Sequence, residues 1–474
     1  MKINRRKAGR AEWQAGKGVI KTPASEERSL YRAVWRWHFI AGLLVLPFLF
    51  ILATTGALYL FNAELDGLIY RAWDTVSASG KPSLPLQRLI EGVENHTGGH
   101  VMQALLPADA GRAVRMTVHT NGEAETAFVD PYTGGVLGVT RFGGVMQLVR
   151  KIHSLQYFGP KASWLMEIAA GWAIILIGTG CYLWWPRGRS GGVVTIRGSP
   201  RSRTFWRDLH AVTGAFAGVI VLFLAFTGMP WSDVWGGKVQ ELTTAAGLNR
   251  PNPPADVVPD WALEHVMPPQ AAEVHAHHEA PTGLPWALEK APPPASAVTG
   301  GSPIDADRAA ATLARAGMLK PYSLTLPQGA RGAYAATYSP ERIEDIRVVY
   351  VDQYSGDVLD DVGYARFGAA AKAIEWGIAV HQGQEYGGIN RYVMLAGCIA
   401  IIVLTISSAT MWWKRRPRGS IGVPPAPDQP RALWVVAALI APIAILFPLV
   451  GLSLIVAYVI DRSIGFFRAK WARA

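Results

Sequence analysis

Cysteine is nearly absent: the 474 residues contain two, Cys181 and Cys398. Both lie inside long apolar runs, so the sequence offers no disulfide framework, no CxxC redox pair and no CxxCH haem-attachment site. Any haem would be held without covalent linkage. Nucleotide and hydrolase signatures are missing too: there is no Walker loop, no GxSxG elbow, no HExxH motif, and no GxGxxG after a strand. That removes the sequence case for nucleotide binding or hydrolysis, and nothing points to nucleic acid as a partner. Charge is scarce in five stretches, residues 39–61, 164–185, 211–231, 392–413 and 433–460, each of about 20 residues or more. A helix of roughly that length crosses the ~30 Å hydrocarbon of a bilayer.

Basic residues are plentiful between those stretches. The net charge is +11, and residues 1–37 carry 10 Lys/Arg against 3 acids, residues 186–209 carry 6 against 1, and residues 414–431 carry 5 against 1. The positive-inside rule therefore puts the N-terminus and both short loops in the cytoplasm, with the long segments 62–163 and 232–391 outside. The first apolar stretch reads as a signal anchor, because its basic leader and apolar run are too long for a cleavable peptide and no small-residue cleavage site follows. The fifth fits least well, since Arg462, Arg468, Lys470 and Arg473 after it would lie outside. A partly re-entrant segment, interrupted by Pro442 and Pro448, is the alternative. The expected fold is an α-helical polytopic membrane protein of about five spans.

The chain is written twice. His38 precedes Gly42 by 4 positions and Thr55–Gly56 by 17 and 18; His210 stands in the same relation to Gly214 and to Thr227–Gly228. The outside segments share "VDPYTGGVLG" and "VDQYSGDVLD", where an Asp-x-Tyr-Ser/Thr-Gly turn is expected to join two strands. Each continues to a second histidine, His153 or His381, that precedes a paired tryptophan, Trp185 or Trp413, by 32 residues. Helical periodicity followed by short alternating runs predicts a small α+β unit in each outside segment. Residues 250–303 are rich in Pro and Ala without periodicity and read as a linker or flap.

Four of the eleven histidines thus sit at matched positions. A single interfacial histidine is commonly a polar cap on a span, and duplication preserves structural residues as well. The arrangement carries more weight. His38 and His210 begin outward-going helices at one face; His153 and His381 precede inward-going helices at the other. Two facing imidazoles are what a b-type haem requires, so the expectation is two haems, one per face. Gly42 and Gly214, one turn beyond the first histidines, would let a flat macrocycle approach, although close helix packing explains them as readily. His38 to Gly56 spans 18 residues, about 27 Å of helix, enough to separate the pairs across a bilayer. A zinc site is less expected, because no Cys and few carboxylates converge on these histidines. His275, His277 and His278 fall in the Pro/Ala-rich stretch and read as a solvated loop; His96, His100, His119 and His265 read as surface residues.

The repeated "H-x3-G…TG" spans, the "VDPYTG" segments, "KIHSLQYFG" and the "YLWWPR" ending resemble the PepSY-associated transmembrane proteins, over residues 29 to about 462. That family includes PiuB-like proteins and FoxB-type ferrisiderophore reductases. The resemblance implies two periplasmic PepSY-like domains, two non-covalent haem b groups, a bacterial inner-membrane location, and reduction of ferric siderophores or other ferric chelates. It carries the haem-ligand role onto His38, His210, His153 and His381. Quinol in the lipid bilayer or a cytoplasmic reductase would supply electrons. Two other readings stay open: a non-redox module whose PepSY domains bind a partner, and a siderophore permease, which the few polar span residues, Thr54, Thr55, Thr227 and Ser407–Ser408, disfavour.

Overall fold

The structure, a computed structural model, describes residues 23–78, 80, 82–141, 143–187, 191–249, 284–289, 293–297, 301–339, 342–419, 422–425 and 430–471. The helices used below are α1 (Pro23–Tyr59), α2 (Leu86–Thr97), α3 (Val145–His153), α4 (Ser163–Trp184), α5 (Arg203–Gly228), α6 (Trp286–Glu289), α7 (Ala306–Arg315), α8 (Ala369–His381), α9 (Gly387–Arg415), α10 (Pro430–Leu446) and α11 (Pro448–Trp471). Strands β1–β4 are His100–Leu106, Val114–Thr120, Glu123–Val129 and Val136–Arg141; β5–β8 are Tyr322–Thr325, Ala333–Tyr338, Arg347–Asp352 and Val358–Gly363. The chain divides into two compact units. One comprises Met1–Pro47, Gly171–Gly218 and Val403–Ala474, and the other Phe48–Ala170 and Val219–Ile402.

In the second unit the two α+β regions share one antiparallel sheet of eight strands, ordered β4-β3-β2-β1-β5-β6-β7-β8. The sequence led us to expect two separate domains. They join because β1 and β5 pair, Gln103 with Thr325 through Leu106 with Tyr322. Pairing satisfies backbone groups that would otherwise leave two open edges. Helices α2 and α7 cover the join, and their apolar stripes (Leu86, Leu89, Val93; Ala309, Leu313) enter one core with Val101, Met116 and Val349. They also cap each other. The Asp307 carboxylate accepts from the Leu86 and Gln87 amides at 2.6 and 3.0 Å, and the Gln87 side chain accepts from the Ala306 amide at 3.3 Å. The Asp-x-Tyr turns form as the motif requires. Asp130 accepts from the Tyr132 amide at 2.8 Å and Asp352 from the Tyr354 amide at 2.7 Å, with Gly134 and Gly356 at φ +76° and +77°. Only glycine takes that conformation without strain.

Among the described residues, four helices are long and apolar enough to cross a membrane: Glu27–Tyr59, Ser163–Trp184, Arg203–Trp231 and Gly387–Arg415. The expected fifth span takes a different form. Residues 433–460 lie on two helices, α10 and α11, which break at Phe447 before Pro448. Proline has no amide hydrogen and its ring crowds the carbonyl four residues back, which kinks or breaks a helix; α10 continues through Pro442, and the break falls at Pro448. The turn is tight: a Cβ on Gly451 would lie 2.7 Å from the Ala444 carbonyl oxygen. The linker expected at 250–303 needs a partial correction as well. Trp286, Ala287 and Leu288 are buried with Val348, Tyr350 and Phe367, and the Trp286 indole donates to the Pro230 carbonyl at 2.9 Å. Pro/Ala-rich flanks hide this short apolar anchor from a reading by composition. His265, His275, His277 and His278 lie outside the described residues.

Candidate functional site

In the first unit, α1 brings His38 and α5 brings His210 together. Their ring centroids are 6.3 Å apart with planes at 86°. His38 Nδ1 lies 2.8 Å from Thr179 Oγ1 on α4. A hydroxyl has one proton to give, and Thr179 gives it to the Ile175 carbonyl one turn back, at 2.8 Å. The bond to the imidazole must then run from Nδ1–H to Oγ1. His210 Nδ1 faces the Leu404 carbonyl at 3.3 Å and the Ser407 and Ser408 hydroxyls at 3.1 and 3.2 Å. A carbonyl only accepts, so His210 too carries its proton on Nδ1. In both rings the Nε2 lone pair is left available, and among the described residues no hydrogen bond engages it.

The second unit repeats the arrangement. His153 is the last residue of α3 and His381 the last of α8. Their Nδ1 atoms lie 3.0 Å from Thr55 Oγ1 and 2.8 Å from Thr227 Oγ1. Thr55 donates to the Ile51 carbonyl at 2.6 Å and Thr227 to the Phe223 carbonyl at 2.7 Å, so the same proton count fixes the same tautomer. Burial holds His153 down to about 4. Burial, then the charge of His153, holds His381 down to about 3. Both are neutral imidazoles at neutral pH. Trp231 packs edge-on to His381 with ring centroids 6.2 Å apart.

A Thr-Gly pair seats three of the four rings. The threonine receives Nδ1–H, and the next residue leaves room for Cε1: a Cβ would come within 3.2 Å of His153 at Gly56, 3.4 Å of His38 at Gly180 and 3.6 Å of His381 at Gly228. At the fourth seat Ser407–Ser408 replaces Thr-Gly. Cys398 shares the Gly56 niche, its Sγ 3.6 Å from the same Cβ position. The sequence reading missed Thr179 and Ser407 as partners. The repeat holds the signal, because each follows its half's second histidine, His153 or His381, by 26 residues. Gly42 and Gly214 occupy a different setting, where a Cβ would meet Leu176 at 3.9 Å and Leu404 at 3.6 Å. Those are ordinary contacts, so neither glycine is forced by close helix packing. His96 and His100 are exposed and His119 is half-buried.

Among the described residues no three His, Cys, Asp or Glu side chains converge as a metal cluster. The donor set that the geometry brings face to face is the imidazole pair His38 and His210. An imidazole on each side of one metal, at the usual nitrogen–metal distance of about 2 Å, places ring centroids about 6 Å apart, the separation of His38 and His210. A search of curated proteins returns no match to this chain. Residues 35–415 match the family described as the PepSY-associated TM region. That match covers well over half of the sequence, and the chain belongs to the PepSY-associated transmembrane family.

Proposed function

We propose that this protein is a membrane electron carrier with two non-covalent b haems, one between His38 and His210 and one between His153 and His381, and that it reduces ferric chelates. The shared hydrogen-bond pattern carries this reading: four half-buried imidazoles, each with Nδ1–H pinned and, among the described residues, no hydrogen bond at Nε2. Fixing one ring nitrogen to set the other as a donor is the standard support of a metal-binding histidine. His38 with His210, and His153 with His381, would hold such a group through their Nε2 atoms. When bound in such a site, haem supplies one-electron oxidation and reduction.

The chain's own residues do the rest. Thr179, Ser407, Ser408, Thr55 and Thr227 orient the rings, and burial keeps His153 and His381 neutral far below pH 7. We read the matched halves as an internal duplication, and the positive-inside pattern as an N-terminus in the cytoplasm of a bacterium, with the sheet in the periplasm. Electrons would come from quinol or a cytoplasmic reductase. The substrate would be a ferric siderophore, as in the FoxB-type members of the family. Hard oxygen donors hold Fe(III) far more tightly than Fe(II), so one electron loosens the chelate.

The test uses haem-loaded, full-length protein in vesicles supplied with reduced quinol and a ferric hydroxamate. The wild type is expected to yield ferrous iron, trapped by a ferrous-specific chelator, and His381→Ala to yield none above background. A loaded wild type no faster than protein-free vesicles, with dithionite as well as quinol, would overturn the proposal.

A further inference from the structure

The described basic side chains near the first pair differ in how they are neutralised. Arg187 pairs with Glu27 at 3.2 Å, and Arg197 and Arg207 both bind the buried Asp208 carboxylate. Arg203 and Arg415 have no carboxylate partner among the described residues. They are neighbours all the same. The Lys414 ammonium donates to the Arg201 carbonyl at 3.0 Å, which brings the end of α9 to the start of α5, and the charge of Arg203 acts on Arg415. Two like charges held close without a counter-ion cost free energy, which a bound anion would recover.

Their placement says which anion. Arg415 lies over the Trp35 ring at 4.3 Å and the Phe39 ring at 5.5 Å. Those residues bracket His38, three positions before it and one after. Cation–π packing of this kind fixes a guanidinium in place. Arg203 is on the same helix as His210, two turns earlier, about 10 Å along the axis. Arg203 at the start of α5 and Arg415 at the end of α9 thus lie on the same side of the first histidine pair, about two turns along their helices from it. A b haem carries two propionate carboxylates on one edge, and a guanidinium binds a carboxylate through paired hydrogen bonds.

We infer that Arg203 and Arg415, joined by the Lys414–Arg201 contact and by the stacking on Trp35 and Phe39, form a clamp for the two carboxylates of a haem held at His38 and His210. The inference rests on the haem reading above and assigns a second set of residues to the same site. An anionic lipid headgroup has related chemistry and is the competing occupant.

The test is a hemin titration of purified full-length protein in nanodiscs, followed by absorbance, for hemin and for hemin with both propionates esterified. The first site is defined as the component missing in His38→Ala. Wild type should prefer hemin over the diester at that site by tenfold or more. Arg203→Gln and Arg415→Gln should each lose much of that preference, and the double variant should lose it entirely while still taking up the diester. Retained preference in the double variant would overturn the clamp. So would a defect that appears only in nanodiscs containing phosphatidylglycerol and is indifferent to esterification, which would assign the arginines to lipid. A wild type that takes up hemin through His38 but never discriminates the diester sinks the clamp alone. A wild type that takes up no hemin sinks the haem reading with it.

Discussion

Replacing Thr227 by valine removes one oxygen and leaves the side-chain shape nearly unchanged. That oxygen gives its proton to the Phe223 carbonyl at 2.7 Å and receives Nδ1–H of His381 at 2.8 Å. Valine leaves the imidazole with two poor choices. It can keep Nδ1–H buried without an acceptor, at about 1–3 kcal/mol. Or it can move the proton to Nε2 and lose the lone pair that would bind iron. Loss of such an outer partner weakens metal sites about 10–100-fold, which agrees with the hydrogen-bond cost. Thr227→Ser keeps the oxygen and should restore most of the affinity. Hemin titration measures the affinity, and 15N spectra of labelled histidine in the haem-free protein report the tautomer directly. We expect an Nδ1-protonated His381 in the wild type. An Nε2-protonated His381 in that protein, or a valine variant that binds hemin as tightly as wild type, would refute the reasoning.

The glycines give a paired comparison. Gly56→Ala puts a Cβ 3.2 Å from the His153 ring and should disturb the second pair before any ligand is added, whereas Gly42→Ala makes only ordinary contacts. It should leave the apo fold intact, so any loss of haem in that variant reports a macrocycle over Gly42. Acid should destabilise the haem-free protein. His153 and His381 titrate at about 4 and about 3 when folded, against 6.5 free. Their contribution is therefore complete above about pH 6.5 and lost as pH falls toward 3, by up to about 1.4 kcal/mol per pH unit for each. Glu375 runs the other way, because burial, aided by Glu289, raises it to about 7. It costs stability as pH rises from 4.5 to about 7, and Glu375→Gln should abolish that limb of the thermal midpoint against pH. Asp307→Ala removes both amide caps of α2 and should lower unfolding free energy by about 1–2 kcal/mol in denaturant titration.

Four of the five apolar stretches, the meeting of His38 with His210 and the Asp-x-Tyr turns were legible because each follows from a local rule: length of apolar run, repeat spacing, or glycine at positive φ. The tie between β1 and β5 was not. Strand pairing across more than 200 residues leaves no local mark, and the reciprocal capping by Asp307 and Gln87 appears only once α2 and α7 are neighbours. Trp286 was hidden by its Pro/Ala-rich flanks. Thr179 and Ser407 were readable in principle from the repeat, yet a lone hydroxyl in an apolar helix reads first as a group bonded to its own backbone. Both residues do make that bond. What the sequence could not say is that the remaining lone pair meets an imidazole, which fixes the tautomer.

The central claim is that two imidazole pairs each hold a haem, and absorption spectra of the purified protein and its four single histidine variants test it most directly. The account predicts a low-spin b-type reduced-minus-oxidised spectrum with two components. His38→Ala and His210→Ala should lose one component, and His153→Ala and His381→Ala the other. Wild-type protein isolated haem-free from haem-replete cells, with all four histidines intact, would contradict it.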